Sequence, residues 1–277
     1  MERVVRFGPG ESLTGVLTEP AEPRALPAVL LLDAGILHRV GPNRMNVELA
    51  RRFAATGHRA LRFDFAGIGD SPARTDGLAL GEGVQRDIAA ALDLVGGQAV
   101  VMGLCSGADN ALRAAYRDPR VVGAALLDPT VFRTPGWYAR RAMQKVTSDP
   151  FGALKQLAGR VRKEVAPPEA APQENRPEMF YTGFQTREEV ETHLSAVLAR
   201  GVSLLYVFSG GWADIFNYPG QLQDNHPSLD LSPVRLHHHP EADHTFSRRA
   251  HREVLFAELG SWLAACSATA AGALPRA

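Results

Sequence analysis

Apolar and polar positions along the chain switch repeatedly between a period of two and a period near 3.6. Residues 4–7 and 13–18 read as strands, with Gly8-Pro9-Gly10 turning between them. Ala28-Val29-Leu30-Leu31-Leu32 is a short continuous apolar run, as expected of a strand buried on both faces. Over residues 46–55, Val47, Leu49, Ala50, Phe53 and Ala54 recur at helical spacing, and Gly57 ends the helix. Strands are predicted at 60–65, 99–102 and 121–127, and helices at 84–95 and 108–116. The alternation points to a mostly parallel sheet with helices on both faces.

That pattern breaks after residue 130. Helices are predicted at 137–145, 154–165 and 187–198, around a Pro/Ala-rich stretch at 167–172, and no strong strand occurs before 202–208. A last strand at 234–238 and a helix at 249–265 complete the chain. The expected organisation is an α/β core of residues 1–130 and 201–266, an inserted helical cap over 131–200, and a disordered tail over 267–277. No internal repeat is evident.

Composition narrows the function classes. The 277 residues are 45% hydrophobic and 22% charged, enough for a sizeable core. Thirty basic residues balance 30 acidic ones, which argues against a surface built to track nucleic acid or an anionic membrane, and the apolar run at 25–32, interrupted by Pro27, is too short to span a bilayer, so no stable membrane insertion is expected. The opening residues lack the long apolar region of a secretory signal, so a cytoplasmic location is expected. The zero net charge conceals a division within the cap: residues 131–163 carry +7 and residues 164–191 carry −5. The two halves either pair with each other or offer a basic surface to an anionic substrate or carrier.

There are two cysteines, Cys105 and Cys266, which excludes a disulfide scaffold and a thiolate-rich zinc site. Cys266, near the end of the last helix, is expected to be inert. Cys105 lies in Gly103-Leu104-Cys105-Ser106-Gly107 between a buried strand and a helix. This is the G-x-Nu-x-G pattern of a nucleophile elbow, with cysteine as nucleophile. Downstream, Asp214 and His244 each follow a predicted strand, in the order nucleophile, acid, base. Asp128, ending the preceding strand, competes for the acid role, and Asp214 is preferred for its place along the sheet. Asp243 is disfavoured because it adjoins His244.

The chain resembles the α/β-hydrolases and, more narrowly, the exosortase A system-associated hydrolases of type 1. The similar segments are Leu32-Asp33-Ala34-Gly35-Ile36-Leu37-His38-Arg39-Val40-Gly41-Pro42-Asn43-Arg44, the 62–71 run ending Gly67-Ile68-Gly69-Asp70-Ser71, the cysteine elbow, and Ala242-Asp243-His244-Thr245-Phe246. They span most of the core and little of the cap. The narrower resemblance implies a setting of exported polysaccharide or protein sorting. Cysteine elbows also occur in dienelactone hydrolases and polyhydroxyalkanoate synthases.

The expected chemistry is an acyl-thioester formed on Cys105, with His244 as base and Asp214 orienting it. Ser106 and Ile36 are the expected backbone oxyanion donors, Ile36 standing where the loop has Ala34-Gly35 before it. His38, Arg39, Trp212, Trp137 and Tyr138 are candidates for substrate binding. The acyl group would come from a small-molecule or carrier-bound ester, thioester or lactone, for hydrolysis or transfer. A non-catalytic component of a biosynthetic or export system, and a cyclising or polymerising acyltransferase, are the alternatives. No cofactor is expected, and no metal: His237 and His239 share a strand face, but no H-E-x-x-H motif or cysteine cluster supports a site. A homodimer is left open.

Overall fold

In the computed structural model, residues 1–148 and 186–272 are described. They form one sheet of eight strands: β1 (Glu2–Phe7), β2 (Leu13–Thr18), β3 (Ala28–Leu32), β4 (Ala60–Phe63), β5 (Ala99–Leu104), β6 (Val121–Leu127), β7 (Ser203–Ser209) and β8 (Arg235–His239). Their order is β1-β2-β4-β3-β5-β6-β7-β8. Strand β2 runs antiparallel to both β1 and β4. From β4 to β8 every pairing is parallel.

Helices cover both faces because successive strand residues point to opposite sides. Leu30, Val101, Leu126 and Tyr206 pack with α2 (Leu80–Val95), α3 (Ser106–Arg117) and α5 (Arg187–Ala199). Leu31, Met102, Leu127 and Val207 pack with α1 (Met45–Ala55) and α7 (Arg249–Gly272). The continuous apolar runs are the strands covered on both sides, since Val29, Leu30, Val100 and Val101 are all fully buried. Helix α4 (Pro135–Ser148) follows β6, and the short helix α6 (Gln221–Asn225), which periodicity did not predict, follows β7.

The chain leaves β3 toward β4 and then returns to place β5 on the other side of β3. Loops at the carboxyl ends of β3 and β5 diverge there, leaving the crevice where open α/β sheets hold their sites.

Two expected boundaries change. Helix α5 belongs to the core: Val190, Leu194 and Val197 are buried in the cluster that includes α3. Its start is fixed by a capping box, in which the Thr186 hydroxyl accepts from the Glu189 N–H at 3.1 Å and Glu189 returns a bond to the Thr186 N–H at 2.8 Å. The last helix continues to Gly272, with Ser267 and Ala270 buried, so the expected tail from 267 begins as helix. The helix predicted at 154–165 and the Pro/Ala-rich stretch lie outside the described residues. Among those described, no helix is long and apolar enough to cross a membrane.

Candidate active site

Strand β5 ends at Leu104 and α3 begins at Ser106, leaving Cys105 alone to make the turn. It does so at φ 55° and ψ −122°, a backbone conformation that side-chain-bearing residues avoid. The flanking glycines make room for it. A Cβ on Gly103 would lie 2.3 Å from the Gly107 carbonyl carbon, and one on Gly107 would lie 2.8 Å from the Asp33 carbonyl oxygen. Strand and helix therefore approach too closely for any side chain, and the thiol projects from the tip of the turn. The amino end of α3 lies directly behind it, which favours negative charge at sulfur. Cys105 is half-buried, whereas Cys266 is buried against β6, with burial raising its thiol pKa.

His244 follows β8 in the loop after Pro240. Its Nδ1 lies 2.7 Å from Asp128 Oδ2, and Cys105 is near enough to act on the same ring. With Nδ1 engaged, Nε2 is the atom left for sulfur. Burial of the ring opposes its charge, but Asp128 and Cys105 outweigh burial and raise the His244 pKa to about 9.

Asp128 is wholly buried and sits at φ 46°, immediately after β6. Its Oδ1 accepts the Ser209 N–H at 2.7 Å, and its Oδ2 accepts the Ser209 hydroxyl at 2.6 Å. These bonds compensate the burial of its charge. The preference for Asp214 is thereby corrected. After β7 a single turn over Gly210–Trp212 carries the chain outward, leaving the Asp214 side chain 77% exposed and paired with Arg141 at 2.9 Å. Asp243 also turns away from its neighbour's ring: its carboxylate accepts from the Thr245 and Ser247 N–H groups and hydroxyls, which hold its pKa below the usual carboxylate range.

The loop after β3 faces the elbow. The Ser106 hydroxyl accepts the Gly35 N–H at 2.9 Å, so that amide is engaged and Ile36 is the next along the loop. Ser106 is the first residue of α3, where an N–H has no intrahelical acceptor. Arg39, expected to meet substrate, instead turns inward. Its backbone N–H donates to Asp64 Oδ1 at 2.6 Å and its guanidinium pairs with Asp64 and Asp70. This fixes the far end of the loop. Asn46 holds its near end by donating to Asp33 Oδ1 at 2.8 Å; burial, with Asp64 nearby, raises the Asp33 pKa well above normal.

The remaining expected binding residues divide. His38 and Tyr138 are exposed. Trp137 is corrected to a packing residue: it is buried, and its Nε1 donates to the Ala213 carbonyl at 3.3 Å. Trp212 lies flat on the His244 ring, with centroids 4.7 Å apart and planes 11° apart.

Two supports escaped sequence reasoning. Ser209 ends a strand whose apolar run hid its role as donor to Asp128. Asp109, one turn into α3, accepts the Thr130 N–H and hydroxyl at 2.9 and 2.7 Å and so pins the loop just past Asp128. Burial raises the Asp109 pKa to about 6. His237 and His239 lie against the two oxygens of one carboxylate, Glu258, at 3.1 and 2.8 Å. Among the described residues no group of three or more His, Cys, Asp or Glu side chains is arranged to hold a metal ion.

Comparison with known proteins agrees with this fold. A model described as the alpha/beta hydrolase family matches residues 30–267. No curated protein is significantly similar in sequence. Among solved structures, an esterase of Pyrococcus furiosus superposes with a TM-score of 0.60 at 15% identity, covering 96% of this chain and 91% of its own. A proline iminopeptidase of Mycobacterium smegmatis gives 0.58 at 18% identity, covering 98% and 100%. The thioesterase domain of the curacin biosynthetic pathway gives 0.58 at 14% identity, covering 95% and 99%. At these identities the likeness is one of fold.

Proposed function

Because the chain belongs to the alpha/beta hydrolase family, we propose that it is a cysteine-dependent acyl hydrolase or acyltransferase acting through Cys105, His244 and Asp128. The observation that carries this reading is the placement of one imidazole between an elbow thiol and a buried carboxylate. His244 Nε2 takes the Cys105 proton as sulfur attacks the acyl carbon. The carbonyl π electrons move to oxygen, giving a tetrahedral oxyanion. The backbone N–H groups of Ser106 and Ile36 are its proposed donors. Collapse breaks the bond to the leaving alcohol or thiol, which receives the proton from His244, and leaves a thioester on Cys105. Water, deprotonated by His244, then releases the carboxylic acid; an alcohol, amine or thiol in its place gives transfer. Asp128 keeps Nδ1 occupied and stabilises the imidazolium.

Cysteine favours acyl transfer because a thioester reacts readily with amines and thiols. The donor is an ester, thioester or lactone, small or carrier-bound, in keeping with the resemblance to exosortase-associated hydrolases. The test compares the protein with its Cys105→Ala form on short p-nitrophenyl esters and acyl thioesters. Turnover is expected from the parent alone. Equal rates for both proteins on every substrate would contradict the proposal.

A further inference from the structure

We infer that Trp212 is a positioning residue for His244, its indole face holding the imidazole in place and stabilising the charged ring. The inference concerns the same site and builds on the proposed triad.

The geometry is specific. The indole and imidazole planes are 11° from parallel with centroids 4.7 Å apart, a separation at which an imidazolium gains from the ring's negative face. The indole is itself held, because Trp212 Nε1 donates to the Pro129 carbonyl at 3.2 Å. Pro129 follows Asp128, so one side chain ties the loop carrying the acid to the ring of the base.

The two residues before Trp212 make this approach possible. A Cβ on Gly210 would lie 1.9 Å from the Pro240 carbonyl oxygen, and one on Gly211 would lie 2.3 Å from the His244 backbone nitrogen. The Gly211 N–H donates to the Ala242 carbonyl at 3.1 Å. Glycine at both positions lets the turn after β7 lie directly on the loop after β8. Ser209, just before them, donates twice to Asp128. The segment 209–212, just before Asp214 where the acid was expected, thus supports an acid from the neighbouring strand: serine at the carboxylate, indole at the imidazole.

The titratable groups that act on the ring are Asp128 after β6 and Cys105 before α3. Asp243 is adjacent in sequence, but its carboxylate is occupied by Thr245 and Ser247. Trp212 adds a stacked π face to these.

The experiment is an NMR titration of the His244 ring in the full chain, comparing the parent with Trp212→Leu and Trp212→Phe. Leucine removes the π face. The His244 midpoint is expected to fall by about 0.4–1.5 pH units, the pKa equivalent of a cation–π contact. Phenylalanine, a weaker π donor that cannot bond Pro129, is expected to restore part of that fall. A structural role alone would lower thermal stability in both variants without ordering the midpoints as tryptophan, phenylalanine, leucine. If Trp212→Leu does not fold, Trp212→Phe alone must still lower the midpoint. Equal midpoints in every folded variant would overturn the inference. The titration needs no substrate, so its failure is distinct from failure of the acyl-transfer proposal, which shows as absent Cys105-dependent turnover.

Discussion

Replacing Asp128 by asparagine tests which carboxylate serves His244. Asp128 is wholly buried and accepts three short bonds, from Ser209 N–H at 2.7 Å, Ser209 Oγ at 2.6 Å and His244 Nδ1 at 2.7 Å. The His244 pKa stands at about 9 against an ordinary 6.5. That difference corresponds to about 3 kcal/mol in favour of the imidazolium, shared between Asp128 and Cys105. Burial alone pushes the ring the other way, so without the carboxylate charge the midpoint is expected to drop below neutrality. The imidazolium population at pH 7 then falls by roughly 10- to 100-fold, and the reactivity of the neighbouring thiol is expected to fall with it. The assay is the rate of Cys105 alkylation by iodoacetamide, followed by intact mass on folded protein at pH 7. Asp214→Asn, by contrast, changes an exposed carboxylate whose partner is a surface arginine and is expected to alter the rate by less than about two-fold. Equal losses in both variants, or an Asp128→Asn rate matching the parent, would refute the assignment.

Two further expectations concern the supports of the site. Gly107→Ala places a methyl 2.8 Å from the Asp33 carbonyl oxygen; it is expected to destabilise the fold by roughly 1–3 kcal/mol and to depress Cys105 alkylation, and unchanged Tm and rate would contradict the close approach. For Asp109, whose pKa is raised from 3.8 to about 6, the folded state binds more protons than the unfolded chain across that window, so stability falls as pH rises through it. The loss is about 3 kcal/mol, the shift of about 2 units at 1.36 kcal/mol each. Urea unfolding at pH 4 and 6.5 is expected to show this decline in the parent and a flatter dependence in Asp109→Asn; identical slopes would contradict it.

The sheet was largely legible because strands covered on both faces need continuous apolar runs. Residues 28–32 and 99–102 carry that constraint openly. The elbow was legible for a similar reason: Gly103 and Gly107 are required by backbone contact, so their spacing survives in the sequence. The carboxylate partner of His244 was less visible. Asp128 and Asp214 both follow strands, and what separates them is the course of the chain afterwards. Asp128 remains beneath Ser209, whereas the turn after β7 carries Asp214 out to α4. That difference depends on contacts 81 and 116 residues apart in sequence, which local pattern does not encode. Arg39 misled in the same way. A basic residue near a site suggests substrate contact, but here it is neutralised by Asp64 and Asp70.

The most direct test of the central claim is peptide mass mapping after brief exposure to activated acyl thioesters and esters. An acyl adduct is expected on Cys105 and absent from Cys105→Ala. Acylation confined to Cys266 or to surface lysines, with Cys105 unmodified on every donor, would contradict a covalent role for the elbow thiol.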